Sequence, residues 1–381
     1  MRILMISKAC LVGTYQRKLE ELARCPGVEL TVVVPPSWRD ARGELRLERA
    51  HVTGYELVVE RIVFNGQHHL HFYPGLARRV TRLRPEVIHA DEEPYSLVTF
   101  QALQLAGRAG ARGVFFSWQN ICKNYPPPFS WIERTNLGRA DYCIAGNQAA
   151  AAVWRAKGFR GPIAVVPQFG VDPELFSPPP PRGPGSRPPG RGLVIGYAGR
   201  LTEEKGVDLL LRAAARLPGE WRLAIAGSGP QRAALEQLAA ELGIAGQVSF
   251  DAWLPSAQMP AFFRQLDVLV LPSRTRPGWK EQFGRVLVEA MACEAVAVGA
   301  DSGEIPRVIG DAGLVFPEDD ADALAADLVR LMRDDALRAE LGRRGRARVL
   351  AHFTQEQIAR RTYAVYQALV PDGSPAQVTN S

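Results

Sequence analysis

Short apolar runs recur along this chain, each closed by glycine, proline or a polar turn and followed by a stretch with helical spacing of its apolar residues. That alternation limits the fold more than any other feature. It predicts an α/β class: mostly parallel sheets with helices on both faces. In the first half the expected strands are residues 3–6, 30–34, 58–63, 86–89, 113–117, 142–145 and 163–166, with helices such as 14–24 and 95–109 between them. In the second half they are 193–197, 222–226, 247–250, 268–271 and 295–298. Helices begin at Asp320 and Asp335, and a last one spans 354–369 with apolar Ile358, Tyr363, Val365 and Tyr366.

Between the halves stands SPPPPRGPGSRPPG, residues 177–190. Proline and glycine dominate it, so it cannot pack a core and reads as a linker. Two domains are the natural count for 381 residues. The expected division is 1–176 for a first Rossmann-like domain and 177–191 for the linker. Residues 192–352 form a second such domain, 353–370 a C-terminal helix, and 371–381 a disordered tail.

The formal charge is +6, with arginine far outnumbering lysine. Such an excess suits anionic substrates or an acidic membrane surface and selects neither. No motif for RNA or DNA binding is present, so nucleic acid is not an expected partner. The five cysteines (Cys10, Cys25, Cys122, Cys143 and Cys293) are scattered and lack CxxC spacing, which reads as thiols in a reducing compartment. A strand is expected at residues 2–7 with no signal peptide before it, and no apolar run reaches the roughly eighteen residues that span a bilayer. The expected setting is cytoplasmic, free or peripheral at the inner face of the plasma membrane.

Two constellations carry chemistry. Residues 272–290, PSRTRPGWKEQFGRVLVEA, follow an apolar strand and place Glu281 and Glu289 on either side of Phe283-Gly284. A strand, loop, glycine and helix in that order present backbone amides and acidic side chains to a ligand at the strand's carboxyl end. Glu289 falls about one and a half turns into a helix that starts at Gly284. The positive helix end can hold the anionic part of a sugar nucleotide, and ionised carboxylates accept hydrogen bonds from sugar hydroxyls. The plain alternative leaves Glu281 solvated in a loop and Glu289 on a helix surface.

The second constellation is GLVIGYAGRLTEEKG, residues 192–206, where Gly196 and Gly199 let the chain turn and Arg200 and Lys205 follow. A planar guanidinium and a point charge beside a glycine turn suit a diphosphate. Neutralising a departing diphosphate is the largest demand of glycosyl transfer. As isolated residues both cations are ordinary surface charges.

Together these motifs resemble the retaining GT-B glycosyltransferases of family 4, also called glycosyl transferases group 1. The quoted pattern is Gly199-Arg200-Leu201 with Lys205-Gly206, then Glu281-Gln282-Phe283-Gly284 through Glu289-Ala290-Met291-Ala292 about eighty residues on. The resemblance covers nearly the whole chain and is more specific in the second half. It implies a GT-B fold of two Rossmann-like doubly wound domains facing a cleft, with the last helix packing back on the first domain. It also implies residue roles. Arg200 and Lys205 would bind the donor phosphates, Glu289 the ribose, and Glu281 the transferred sugar. The amides near Phe283 and Gly284 would help, and Gly13 would line the first-domain wall of the donor cleft.

Several smaller features weigh on this reading. Gly227 opens a glycine turn that either approaches the nucleotide or serves as a plain strand-to-helix turn. The segment CLVGT, residues 10–14, lacks the GxGxxG of a dinucleotide site, and Pro35-Pro36 stands where a ribose-binding acid would be. Asp320-Ala321-Asp322 looks like a metal-binding DxD, but carboxylates in a helix's first turn are ordinary dipole partners. No metal ligand set is therefore assigned, and neither an obligatory metal nor another cofactor is expected. His68, His69 and His71 cluster in HHLHFYP, and in an extended chain His69 and His71 would share a face. The acceptor side would draw on His89, Asp91, Glu92 and Glu93 at a strand end, and on Gln119 and Asn120.

Three departures from the family pattern matter. Gln119 takes the place of a common histidine, can bond a sugar but cannot act as a base, and favours proton transfer to the donor phosphate. Cys293-Glu294-Ala295 replaces small residues. Arg285 replaces a common aliphatic residue and adds charge near the phosphate or points to solvent.

The expected activity is transfer of a hexose-type sugar from a nucleoside-diphosphate sugar to an acceptor hydroxyl with retention. The acceptor would be a carbohydrate or lipid-linked molecule of cell-surface polysaccharide or glycolipid synthesis, and domain closure would exclude water. Fold alone does not fix chemistry, so a nucleotide-sugar epimerase and an inactive sugar-nucleotide-binding partner stand as rivals.

Overall fold

The structure, a computed structural model, describes residues 1–40, 43–179, 192–251, 255 and 258–370. Most of the expected linker (residues 180–191) and the expected tail (371–381) lie outside the described residues. The chain divides into two compact units, one of Met1–Gly170 with Gln355–Ser381, the other of Val171–Thr354.

The first unit is built on a parallel sheet of β1 (Arg2–Ile6), β2 (Glu29–Val34), β5 (Glu56–Val59), β6 (Val87–Ala90), β7 (Arg112–Ser117), β8 (Tyr142–Ala145) and β9 (Ile163–Val165). Their order is β5-β2-β1-β6-β7-β8-β9. Between β2 and β5 a hairpin of β3 (Ser37–Asp40) and β4 (Gly43–Arg46) stands apart and buries Trp38. The covering helices are α1 (Arg17–Ala23), α2 (Leu76–Leu83), α3 (Leu97–Ala109), α4 (Phe129–Arg139), α5 (Gln148–Ala156) and, from the chain's far end, α13 (Gln355–Leu369). Residues such as Ile3, Met5, Val32 and Val114 of the strands form one core with Leu19 and Leu22 of α1 and Ile358, Val365 and Tyr366 of α13. Helix starts are fixed by side chains: Ser96 accepts from the Thr99 N–H and Asn147 from the Ala150 N–H.

The second unit carries β10 (Leu193–Ala198), β11 (Trp221–Ala226), β12 (Val248–Asp251), β13 (Val268–Leu271), β14 (Val296–Ala300) and β15 (Gly313–Phe316). These form a parallel sheet ordered β12-β11-β10-β13-β14-β15. The chain adds α6 (Val207–Ala214), α7 (Arg232–Glu241), α8 (Met259–Phe263), α9 (Arg285–Ala292), α10 (Ile305–Ile309), α11 (Ala321–Arg333) and α12 (Asp335–His352). Both β13 and β14 are buried along their whole length, as strands covered by helices on two faces must be. The fold is thus α/β with two Rossmann-like, doubly wound sheets.

Two local expectations change, and the histidine stretch does not take the extended form in which His69 and His71 would share a face. The helix expected at 14–24 begins as a tighter turn over Gly13–Gln16 and becomes α-helical only at Arg17. The cause is Gln16, whose amide turns inward to donate to Cys10 O (2.9 Å) and Glu48 O (2.6 Å). The strand expected at 58–63 ends at Val59, and Val63 pairs instead with Phe72. The histidine stretch is a turn closed by His71 N–H to Gln67 O (3.0 Å) rather than extended chain. His71 is therefore buried beside Trp38, whereas His69 lies among Tyr95, Tyr125 and Phe129.

Candidate functional site

In each sheet the strand order reverses between its first and fourth main strands, β1 beside β6 and β10 beside β13. Ligands of open α/β sheets bind outside the carboxyl ends of the strands at such a reversal. In the second unit Ile195 of β10 faces Val268 of β13, so the loops that leave the two strands run side by side. Those loops hold both constellations read from the sequence.

Lys205 Nζ lies 2.6 Å from Glu281 Oε2, and Ser273 Oγ donates to the same oxygen at 2.9 Å. The ammonium also sits over the Trp279 ring, 4.8 Å from its centroid. Gly206 makes this approach possible: its φ is +67°, and a Cβ there would stand 2.0 Å from Pro272 O. From the other side the Glu304 N–H donates to Glu281 O at 3.2 Å. Glu281 is only 8% exposed, so it is held in place rather than solvated. Arg200 follows β10 with an exposed side chain, and its carbonyl accepts from Tyr197 Oη at 2.8 Å.

Gly284, in the left-handed conformation, begins α9 without a side-chain cap, and Phe283 before it packs on Phe353. Glu289, one helical turn after Arg285, is also 8% exposed. Burial raises its pKa, and the Arg285 guanidinium at 3.1 Å pulls it back. Arg285 thus pairs with Glu289.

Gly227 turns close to the same loop. A Cβ on it would stand 1.9 Å from Gly199 O, so the glycine serves passage of one loop over another. Asp320 caps α11 by accepting from the Ala323 N–H at 2.8 Å, and Asp322 pairs with Arg216. Among the described residues no three His, Cys, Asp or Glu side chains form a group able to hold a metal ion. Sequence reasoning missed Arg274. It is buried and grips Asp208 through both terminal nitrogens, at 2.6 and 2.8 Å, and also pairs with Asp319. It ties the loop after β13 to α6.

In the first unit the corresponding loops gather another polar set. Asp91 accepts from Ser7 Oγ (2.6 Å) and Gln168 Nε2 (3.0 Å), and Glu92 pairs with Lys8. Glu93 accepts from Ser117 Oγ (2.6 Å) and the Trp118 N–H (2.8 Å); burial pushes its pKa up to about 7 against those bonds. Gln119 donates to Ile121 O and accepts from Tyr125 Oη, 3.2 Å each, and Asn120 is buried beside it in sequence. His89 is enclosed, with Nδ1 2.7 Å from Tyr366 Oη of α13, and burial pushes its pKa down to about 4. The Gly13 N–H already donates to Glu48 Oε2 at 2.7 Å. Glu48 was not singled out from the sequence, because it reaches Gly13 only through the hairpin preceding it.

One relative compares with this chain over most of both lengths. It is the GDP-mannose-dependent α-(1-6)-phosphatidylinositol monomannoside mannosyltransferase of Mycolicibacterium smegmatis, 31% identical over 352 residues, covering 84% of this chain and 85% of the relative. The chain belongs to the group 1 glycosyltransferases. Residues 184–348 match the family described as glycosyl transferases group 1, and residues 12–169 the glycosyl transferase 4-like domain.

Solved structures agree on the glycosyltransferase fold, which is GT-B. The sucrose-phosphate synthase of Thermosynechococcus elongatus superposes with a TM-score of 0.71 at 21% identity, over 97% of this chain and 99% of that one. Anabaena Alr3699/HepE, solved in complex with UDP, gives 0.70 at 19% identity over 97% and 100%.

Proposed function

We propose that this glycosyltransferase moves a hexosyl unit from a nucleoside-diphosphate sugar to an acceptor hydroxyl, with retention at the anomeric carbon. The observation that carries the reading is the Lys205–Glu281 pair between the loops that leave β10 and β13, with Arg200 earlier on the first loop and Glu289 on the helix that follows the second. Arg200 and Lys205 bind the diphosphate and offset the charge that develops as it leaves. Glu281, oriented by Ser273, accepts hydrogen bonds from the transferred sugar. The start of α9, with the amides of Phe283 and Gly284, faces negative charge. Glu289 accepts from the ribose hydroxyls. Gly13 and Gly227 belong to the donor-binding loops.

No histidine stands at Gln119, so the proton of the acceptor hydroxyl passes to the leaving phosphate. Cationic side chains neutralise the diphosphate, so the reaction needs no obligatory metal. Asp91, Glu92, Glu93, Gln119 and Asn120, with His89 beneath them, shape the acceptor side. A nucleoside-diphosphate donor is supported by the relative, which depends on GDP-mannose, and by the HepE structure, which holds UDP. That relative acts on a phosphatidylinositol mannoside, which supports a carbohydrate or lipid-linked acceptor in cell-surface polysaccharide or glycolipid synthesis. Among the described residues no helix is long and apolar enough to cross a membrane. The proposed setting is the cytoplasm, free or peripheral at the inner face of the plasma membrane.

The test is product analysis. Purified protein is incubated with UDP- and GDP-hexoses and with sugar and glycolipid acceptors, with and without chelator. The expected product carries the donor's anomeric configuration by proton NMR and forms in chelator. An inverted product, an isomerised free donor sugar, or complete loss of activity that added metal restores would contradict the reading.

A further inference from the structure

Arg285 opens α9, and its Nε lies 3.1 Å from Glu289 Oε1 one turn further on. The partners differ in setting: the Glu289 side chain is 11% exposed, that of Arg285 43%. A cation from the solvent side thus reaches a buried carboxylate. We propose that Arg285 is a positioning residue that keeps the Glu289 carboxylate ionised and oriented to accept from the donor's ribose hydroxyls. This rests on the donor-binding reading above.

An ionised carboxylate offers only acceptors, so two neighbouring hydroxyls can both donate to it, whereas a protonated one spends an oxygen as donor. Burial favours the protonated form of Glu289, and Arg285 opposes it. Among the described residues, the charged side chains on the elements packed against α9 have other partners. The strands β13 and β14 bring no charged residue. On α12, Arg338 pairs with Asp335, Arg346 donates to the carbonyls of Ala292 and Phe176, and Arg348 to those of Arg307 and Val308. Arg264, just after α8, donates to Leu175 O and Ser177 O, and Arg307 of α10 pairs with Glu304. The Cys293 thiol is pushed up to about 12 by burial first, with Arg264 and Arg346 opposing, so it stays uncharged.

The experiment is calorimetric titration of the full chain with UDP, GDP and their 2′,3′-dideoxy counterparts, from about pH 5.5 to about pH 8.5. It compares the native protein with Arg285→Leu and Arg285→Lys. Arg285→Leu should bind the ribonucleotide about tenfold more weakly at the acid end and nearly normally at the alkaline end. The dideoxynucleotide should bind it as it binds the native protein, and Arg285→Lys should restore most of the loss. An unchanged pH profile in Arg285→Leu, or an equal loss for the dideoxynucleotide, overturns the inference while the donor-binding reading stands. A native protein that binds neither UDP nor GDP overturns both.

Discussion

Lys205 and Glu281, seventy-six positions apart, form an ion pair of 2.6 Å across the loops that leave two neighbouring strands. A diphosphate carries more charge than one carboxylate. In the proposed reaction it draws Lys205 onto the phosphate and leaves Glu281, still held by Ser273, facing the sugar.

Glu281→Gln keeps the side chain's size and removes its charge. Transfer should fall on the order of a hundredfold or more, as when one preorganised group at a reacting centre is lost. Circular dichroism should be unchanged. Turnover close to native would take Glu281 out of the site.

Glu93 gives the first unit a pH signature. Its folded pKa is raised from 4.5 to about 7, chiefly by burial. The folded state then holds a proton that the unfolded state has released, so this contribution is full below the unfolded pKa and is lost as pH rises through about 7. Glu93→Gln lacks that loss. Thermal melts should show the variant gaining on the native protein between about pH 5 and about pH 8. A constant difference across that range would refute the assignment.

The last helix is tied to the first unit by Tyr366, whose hydroxyl meets His89 Nδ1 at 2.7 Å inside the core. Tyr366→Phe leaves that ring nitrogen buried without its partner, at a cost of about 1–3 kcal/mol. Chemical denaturation measures it, and an unchanged midpoint would contradict it.

How far the sequence revealed this protein depends on the range over which each feature is determined. The strands β1, β2, β8 and β13 were legible because strands buried on two faces leave uniform apolar runs. The start of α1 was not, because Gln16 bonds to backbone more than thirty positions away. The end of β5 was not either, because Val63 leaves to pair with Phe72. In the site, Arg200, Lys205, Glu281 and Glu289 stood out through motif spacing. Their pairings did not: Lys205 meets Glu281 only because β10 and β13 are neighbours in the sheet. Arg274 looked like any loop arginine until Asp208 and Asp319 enclosed it.

The central claim is that Lys205 grips the donor's diphosphate. Calorimetry on native protein and Lys205→Ala, titrated with UDP and GDP and with uridine and guanosine, tests it most directly. The loss of a charged hydrogen bond should weaken the favoured diphosphate by about tenfold or more and leave its nucleoside little affected. Equal weakening of both, or no weakening of either, would contradict the account.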